Sequence, residues 1–199
     1  MTALFGASLA GLVLVPVNPL LRADQAIYFC VTVMRVLVTL AGRLAALSQL
    51  LRDMPELQVV LLWRAPACAA PPAAPPLLAW DDCMRGQGEP RERHRRIDSD
   101  VAALLYNSGS CGQPNGVVLS HHNLLAGAHS VMRYLDNSAT DRLLTVLPLS
   151  FGYGFSQLTT ALACGASVVL MNHLLLRDIV ETVARERITG MAAVPPWWI

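Results

Sequence analysis

Lysine is absent from the chain: all fifteen basic residues are arginine. That absence removes a lysine Schiff base, a P-loop lysine and a lysine general base from anything these residues do. Arginine can hold a phosphate but stays protonated, so it does not replace a lysine that must lose its proton. Charge of either sign is nearly cancelled, with a formal net charge of +1, which gives no electrostatic pull toward nucleic acid. Cysteine is sparse and scattered, at Cys30, Cys68, Cys83, Cys111 and Cys164. There is no CxxC pair and no His–Cys spacing for a metal. The set reads as reduced thiols of a cytoplasmic protein, mostly small buried residues.

Long apolar runs are missing too. The 199 residues are 54% hydrophobic and 15% charged, a balance that builds a core and excludes a disordered chain. The most apolar early stretch, Ala3 to Val17, is about fifteen residues, short of the roughly 20 a spanning helix needs. It ends at Pro16 and Asn18-Pro19, and no basic residue precedes it as in a signal peptide. It reads as a buried helix followed by a buried strand, not as a transmembrane segment. A membrane-associated protein built on this stretch is the rival reading.

What is present is alternation. Leu12–Val15, Arg35–Thr39 and Leu57–Trp63 are short apolar runs rich in β-branched or bulky residues, each suited to a buried strand. Between them, 22–32 and 42–51 have helical spacing, with Leu44, Leu47 and Leu51 on one face. Strands that alternate with helices predict an α/β fold, layered α/β/α on a mostly parallel sheet. Residues 64–98 interrupt the pattern. The run APACAAPPAAPP is stiff and makes no core, and the charged run from Glu89 to Arg96 reads as solvated loop, so the whole stretch is expected to be one surface excursion. Order resumes with a strand at 101–106, a Gly/Ser loop at 107–116 and a strand at 117–119. Ser120 then caps a helix from His121 to about Leu135. Strands follow at 143–149 and 166–171, with a helix at 155–163 between them. A last helix starts in a capping-box-like way with Asp178 and Glu181, and Glu181 is expected to pair with Arg185.

The loop Tyr106-Asn107-Ser108-Gly109-Ser110-Cys111-Gly112-Gln113-Pro114-Asn115-Gly116 carries the chemistry. Glycines let backbone N–H groups turn toward a common centre, and serine hydroxyls add donors, which is what a polyphosphate needs. It is not a Walker A loop, because no lysine exists. It is not a dinucleotide fingerprint, because a strand rather than a helix follows it.

The run YNSGSCGQPNGVVLSHHN resembles the signature of the AMP-forming adenylate synthetases: acyl-CoA synthetases, luciferases and peptide-synthetase adenylation domains. Their form is Tyr-Thr-Ser-Gly-Ser/Thr-Thr-Gly-x-Pro-Lys-Gly-Val, followed by Ser/Thr-His. Ala10–Pro19 resembles the family's "AG-hydrophobic-PxNP" stretch. Leu147–Gly154 resembles its next core motif, and Gly165–Leu170 with Ile188–Pro196 continues the register. The resemblance covers most of the chain outside 64–98. It implies that residues 1–199 are the N-terminal part of an AMP-binding (adenylation) domain. It implies a ligase that activates a carboxylic acid with ATP to acyl-AMP and passes the acyl group to coenzyme A. Ser108, Gly109, Ser110, Cys111, Gly112 and Asn115 would then bind the ATP phosphates. Phe151, Tyr153 and Gly154 would border the acyl group, and His121 is a further candidate. The family's acidic Mg²⁺ ligand, its ribose-binding aspartate and the lysine of its C-terminal lid belong to later parts not among these residues, so no metal ligand is expected here and the isolated chain is expected to be inactive.

Three positions depart from the pattern. Asn115 stands where the family has lysine or arginine, Asn107 replaces a threonine, and Cys111 replaces a threonine hydroxyl. A charge-assisted bond to phosphate contributes about 1.5–3 kcal/mol, against about 0.5–1.5 for a neutral one, so the loop should hold ATP more weakly than a typical member. These substitutions also sustain a second reading, a non-catalytic nucleotide-binding remnant of such a ligase.

Overall fold

The structure is a computed structural model, and it describes residues 1–22, 25, 34–52, 54–64, 75–86, 94–108, 114–172 and 175–194. The chain divides into two compact units, one made of residues 1–18 and 94–199, the other of 19–93.

In the second unit, β1 (Val36–Leu40) leads through a short 3₁₀ turn (Ala41–Arg43) into α2 (Leu44–Arg52), then β2 (Val59–Trp63), β3 (Leu77–Ala79) and α3 (Trp80–Arg85). All three strands are parallel, in the order β1-β2-β3. Helix and sheet meet where both periodicities present apolar side chains. Leu47 and Leu51 of α2 pack with Met54, Leu57, Val60 and Leu62, and Leu44 lies against the same cluster. Burial of Val60 and Leu62 with their neighbours less covered is the period of two expected of a strand.

The expected surface excursion at 64–98 is therefore corrected. Leu77–Ala79 is a strand paired with β2, Leu77 packs on the core, and Val60 N donates to Pro76 O at 3.0 Å. A three-residue strand behind a proline run carries too little periodicity to be legible. Residues 65–74 and 87–93 lie outside the described residues, as does most of the helix expected at 22–32. Cys83 in α3 is exposed rather than buried.

The first unit opens with α1 (Thr2–Leu9), which has no buried residue. The expectation of a buried helix and strand over 3–17 is overturned: the only strand-like pairing there is a parallel bridge from Leu14 to Ala103, closed by Leu14 N to Ala102 O (3.0 Å) and Leu104 N to Leu14 O (2.8 Å). Among the described residues no helix is long and apolar enough to cross a membrane.

Then come β4 (Val101–Ser108), β5 (Pro114–Ser120), α4 (His121–Tyr134), β6 (Arg142–Thr145), α5 (Gly152–Cys164), β7 (Ser167–Leu170), α6 (Leu176–Glu186) and β8 (Gly190–Met191). Strands β7-β6-β8 form a parallel sheet with β6 central. Leu144 and Val146 pack with Ile179 of α6, and Gln157 of α5 donates to Leu144 O at 3.4 Å. A central parallel strand covered in this way is apolar at its middle, here Leu143 and Leu144. Gly165 closes α5 with φ +76, Ala166 N reaching Ala161 O and Gly165 N reaching Leu162 O, the left-handed ending glycine permits. Asp178 is not the cap of α6 but its third residue; its carboxylate accepts from Leu175 N at 3.4 Å. The expected Glu181–Arg185 pair is replaced by Arg177–Glu181 at 3.4 Å, while Arg185 turns to Glu186 at 3.0 Å. The fold class, mixed α/β with parallel sheets, agrees with the alternation in the sequence.

Candidate functional site

Strands β4 and β5 make an antiparallel hairpin, with Tyr106 opposite Gly116, Asn107 opposite Asn115 and Ser108 opposite Pro114. The loop expected over 107–116 is thus shorter, because both strands run into it. Turn-forming residues such as Asn107, Pro114 and Asn115 hid the pairing, which is decided across the hairpin rather than locally. Ser108 is the last residue of β4, and Asn115 is an exposed residue of β5 that offers a neutral amide. Gly109, Ser110, Cys111 and Gly112 lie outside the described residues.

The opposite end of the hairpin pairs Val101 with Ser120. Ser120 caps α4: its Oγ accepts from Asn123 N at 3.1 Å, and Asn123 Oδ1 accepts from Ser120 N at 3.0 Å. His121, the first residue of α4, is therefore at the far end from Ser108. Seven residue steps at ~3.4 Å put the two ends about 24 Å apart. His121 serves another contact. Its Nε2 is 3.5 Å from Nη1 of Arg96, which also donates to Ser8 Oγ at 2.8 Å. The structure does not bring His121 together with the loop; the adjacency in sequence is undone by a strand running away from the turn.

The turn before α5 does approach the hairpin. A Cβ at Gly152 would sit 3.8 Å from Leu105 Cδ1, so the start of α5 lies against the strand that carries Ser108. Phe151 N donates to Pro148 O at 2.9 Å, and Phe151 O accepts from Phe155 N at 3.0 Å, which seats Phe151 as the N-cap. Gly154 is buried, and a Cβ there would come within 2.5 Å of Pro148 O and 2.8 Å of Leu147 O, so only glycine fits the close approach. Phe151 and Tyr153 are 43% and 50% exposed, and the aromatic ring packed into the interior is Phe155. The candidates at 151–154 and the strand that ends at Ser108 thus share one neighbourhood.

Two contributors escaped the sequence. Arg96, in a run that reads as solvated, has a buried Nε with no partner among the described residues. Tyr106 lies across Gly116: a Cβ on that glycine would be 3.1 Å from the ring. Among the described residues no group of three or more His, Cys, Asp or Glu side chains could hold a metal ion.

The family model described as "AMP-binding enzyme" matches residues 1–199. The chain belongs to the AMP-binding enzyme family. Among curated relatives, it is 38% identical over 101 residues to 4-coumarate–CoA ligase-like 9 of Arabidopsis thaliana, covering 49% of this chain and 18% of that protein. It is 39% identical over 112 residues to 4-coumarate–CoA ligase 1 of Narcissus pseudonarcissus, covering 51% and 20% respectively. Of solved structures, the anthranilate CoA ligase AuaEII in complex with anthranoyl-AMP matches with a TM-score of 0.88 at 23% identity, over 99% of this chain and 38% of that one. ATP-bound MatB from Rhodopseudomonas palustris matches with a TM-score of 0.78 at 21% identity, over 98% and 37%. At such identities the likeness carries the fold alone. The chain spans less than half the length of these solved relatives, and its matched segments about a fifth of the curated ones.

Proposed function

We propose that these residues form the phosphate-binding part of an AMP-forming acid–thiol ligase, in which ATP and a carboxylic acid give acyl-AMP and pyrophosphate and the acyl group then passes to coenzyme A. The observation that carries the reading is the hairpin: two paired strands bring Ser108 opposite Pro114 at its loop end, and the strand that carries Ser108 lies, at Leu105, against Gly152 of the 151–154 segment. In this family such a turn holds phosphate. Fixed backbone donors aimed at the reacting phosphate stabilise charge without rearrangement, and the neighbouring turn would hold the acid close to it.

In this reading Ser108, Gly109, Ser110, Cys111 and Gly112 contribute donors to the phosphates, and Asn115 adds a neutral one where relatives place a cation. Phe151, Tyr153 and Gly154 border the acid. The exposure of Phe151 and Tyr153 fits a surface that a substrate covers. ATP would bring Mg²⁺, whose charge would stand against the phosphates.

The test is calorimetry with ATP on the 199-residue chain and on Asn115→Lys. Weak binding that tightens roughly tenfold or more in the variant, as a charge-assisted bond replaces a neutral one, supports the reading. Equal affinity in both, or no binding in either, contradicts it. We propose further that the chain by itself does not complete the reaction, since no lysine is present to supply the lid's charge; carboxylate-dependent ATP–pyrophosphate exchange by the purified chain would refute that.

A further inference from the structure

The register of the β4–β5 hairpin needs an explanation. Strands are locked in register when one face is buried, because a slip of one residue turns every side chain to the other side. β4 has such a face, with Ala103 at 0% and Leu105 at 4% exposure. β5 does not: Asn115, Gly116, Val117 and Val118 are all exposed, Val118 at 60%. The ladder already shifts by a residue at its far end, between Val101 and Ala103. Near the loop the ring of Tyr106 fits closely against Gly116, where a Cβ would lie 3.1 Å from Cε1 and 3.5 Å from Cζ. Among the described glycines only Gly11 and Gly165 have positive φ, so backbone conformation does not require glycine at 116. Space for the ring favours it, since a Cβ there would crowd the ring by a few tenths of an ångström.

We propose that Tyr106 is a positioning residue for the phosphate loop, and that its ring, seated on Gly116, pins the register that brings Ser108 opposite Pro114. An aromatic ring laid over a cross-strand glycine shields the bare backbone and fits only one alignment of the strands. With the pin removed, a local one-residue bulge beyond the Leu105–Val117 pair would draw Pro114 and Asn115 out of line with Ser108 and Asn107. The loop would then start from misaligned strand ends. What the loop binds rests on the nucleotide reading above; the pin itself does not.

The experiment separates the two. Cross-strand NMR contacts between Asn107 and Asn115, and between Leu104 and Val118, are recorded for the full chain and for Tyr106→Phe, Tyr106→Leu and Gly116→Ala, with ATP affinity measured beside them. Tyr106→Phe, which keeps the ring, should keep the contacts. Tyr106→Leu and Gly116→Ala should lose the Asn107–Asn115 contact near the loop, keep the Leu104–Val118 contact that reports a folded hairpin, and bind ATP about fivefold more weakly, the size of one cross-strand pair. Tyr106→Leu with wild-type contacts and wild-type affinity would overturn the pin. Failure of the unaltered chain to bind ATP would instead overturn the nucleotide reading, with the contact pattern still deciding the register.

Discussion

Two pieces of the first unit are built from similar apolar segments and are held by different means. The β6 sheet is fixed by burial: Leu143, Leu144, Thr145 and Val146 are all buried, and α6 packs on one face. The β4–β5 hairpin is anchored through β4 alone, while β5 lies open to solvent. The difference teaches where precision comes from. A buried strand has its alignment enforced by many contacts, each small. An exposed strand that carries a ligand loop must take its alignment from a few specific ones, here a cap and a ring on a glycine. Elements that bind ligands tend to come from the less stable part of a structure.

The comparison can be broken most severely at Leu144, which is fully buried. Leu144→Ala should cost about 2–5 kcal/mol, as a cavity opens that the sheet and α6 cannot close. Val118→Ala on β5 should stay within about 0.5 kcal/mol. Urea unfolding of both variants checks the pair; comparable losses would mean that β5 is packed as tightly as β6.

Ser120 lies where the hairpin turns into α4, and its cap is smaller in effect. Ser120→Ala removes the hydroxyl that accepts from Asn123 N and should cost about 1 kcal/mol, read as a lowered midpoint in the same unfolding measurement. This cap was legible in the sequence because it is local: a serine, then a helical apolar pattern, needs no distant partner. Leu44, Leu47 and Leu51 were legible for the same reason. β3 was not, since Leu77–Ala79 becomes a strand only beside β2. Nor was the exposure of α1, whose composition argues for burial while its surroundings leave it half-covered. Of the candidate site, the loop and the 151–154 turn stood out by motif. The distance of His121 from them did not, because only the direction of β5 reveals it.

The smallest effect sharpens the contrast by pH. Asp141 opens the strand β6 from outside: its carboxylate accepts from Ser138 N at 2.7 Å and from the Thr189 hydroxyl at 2.7 Å. The Ser138 amide, then the Thr189 hydroxyl, hold its pKa below the usual 3.8. A carboxylate with a lowered folded-state pKa adds stability above its unfolded value, and that stability is lost as pH falls through the folded one. Asp141→Asn should therefore be less stable than the natural chain at neutral pH, with the gap narrowing as pH drops below about 4. Denaturant midpoints of both chains across that range give the answer, and a gap independent of pH would remove the carboxylate from the account.

Hydrogen exchange along the hairpin, with and without ATP, tests the central claim most directly. Backbone amides of 105–108 and 115–117 should gain protection when ATP is added, while those of His121 and His122 at the other end stay unchanged. Protection that appears at the His121 end, or nowhere on the hairpin at ATP concentrations where relatives bind, would contradict a phosphate site at the turn.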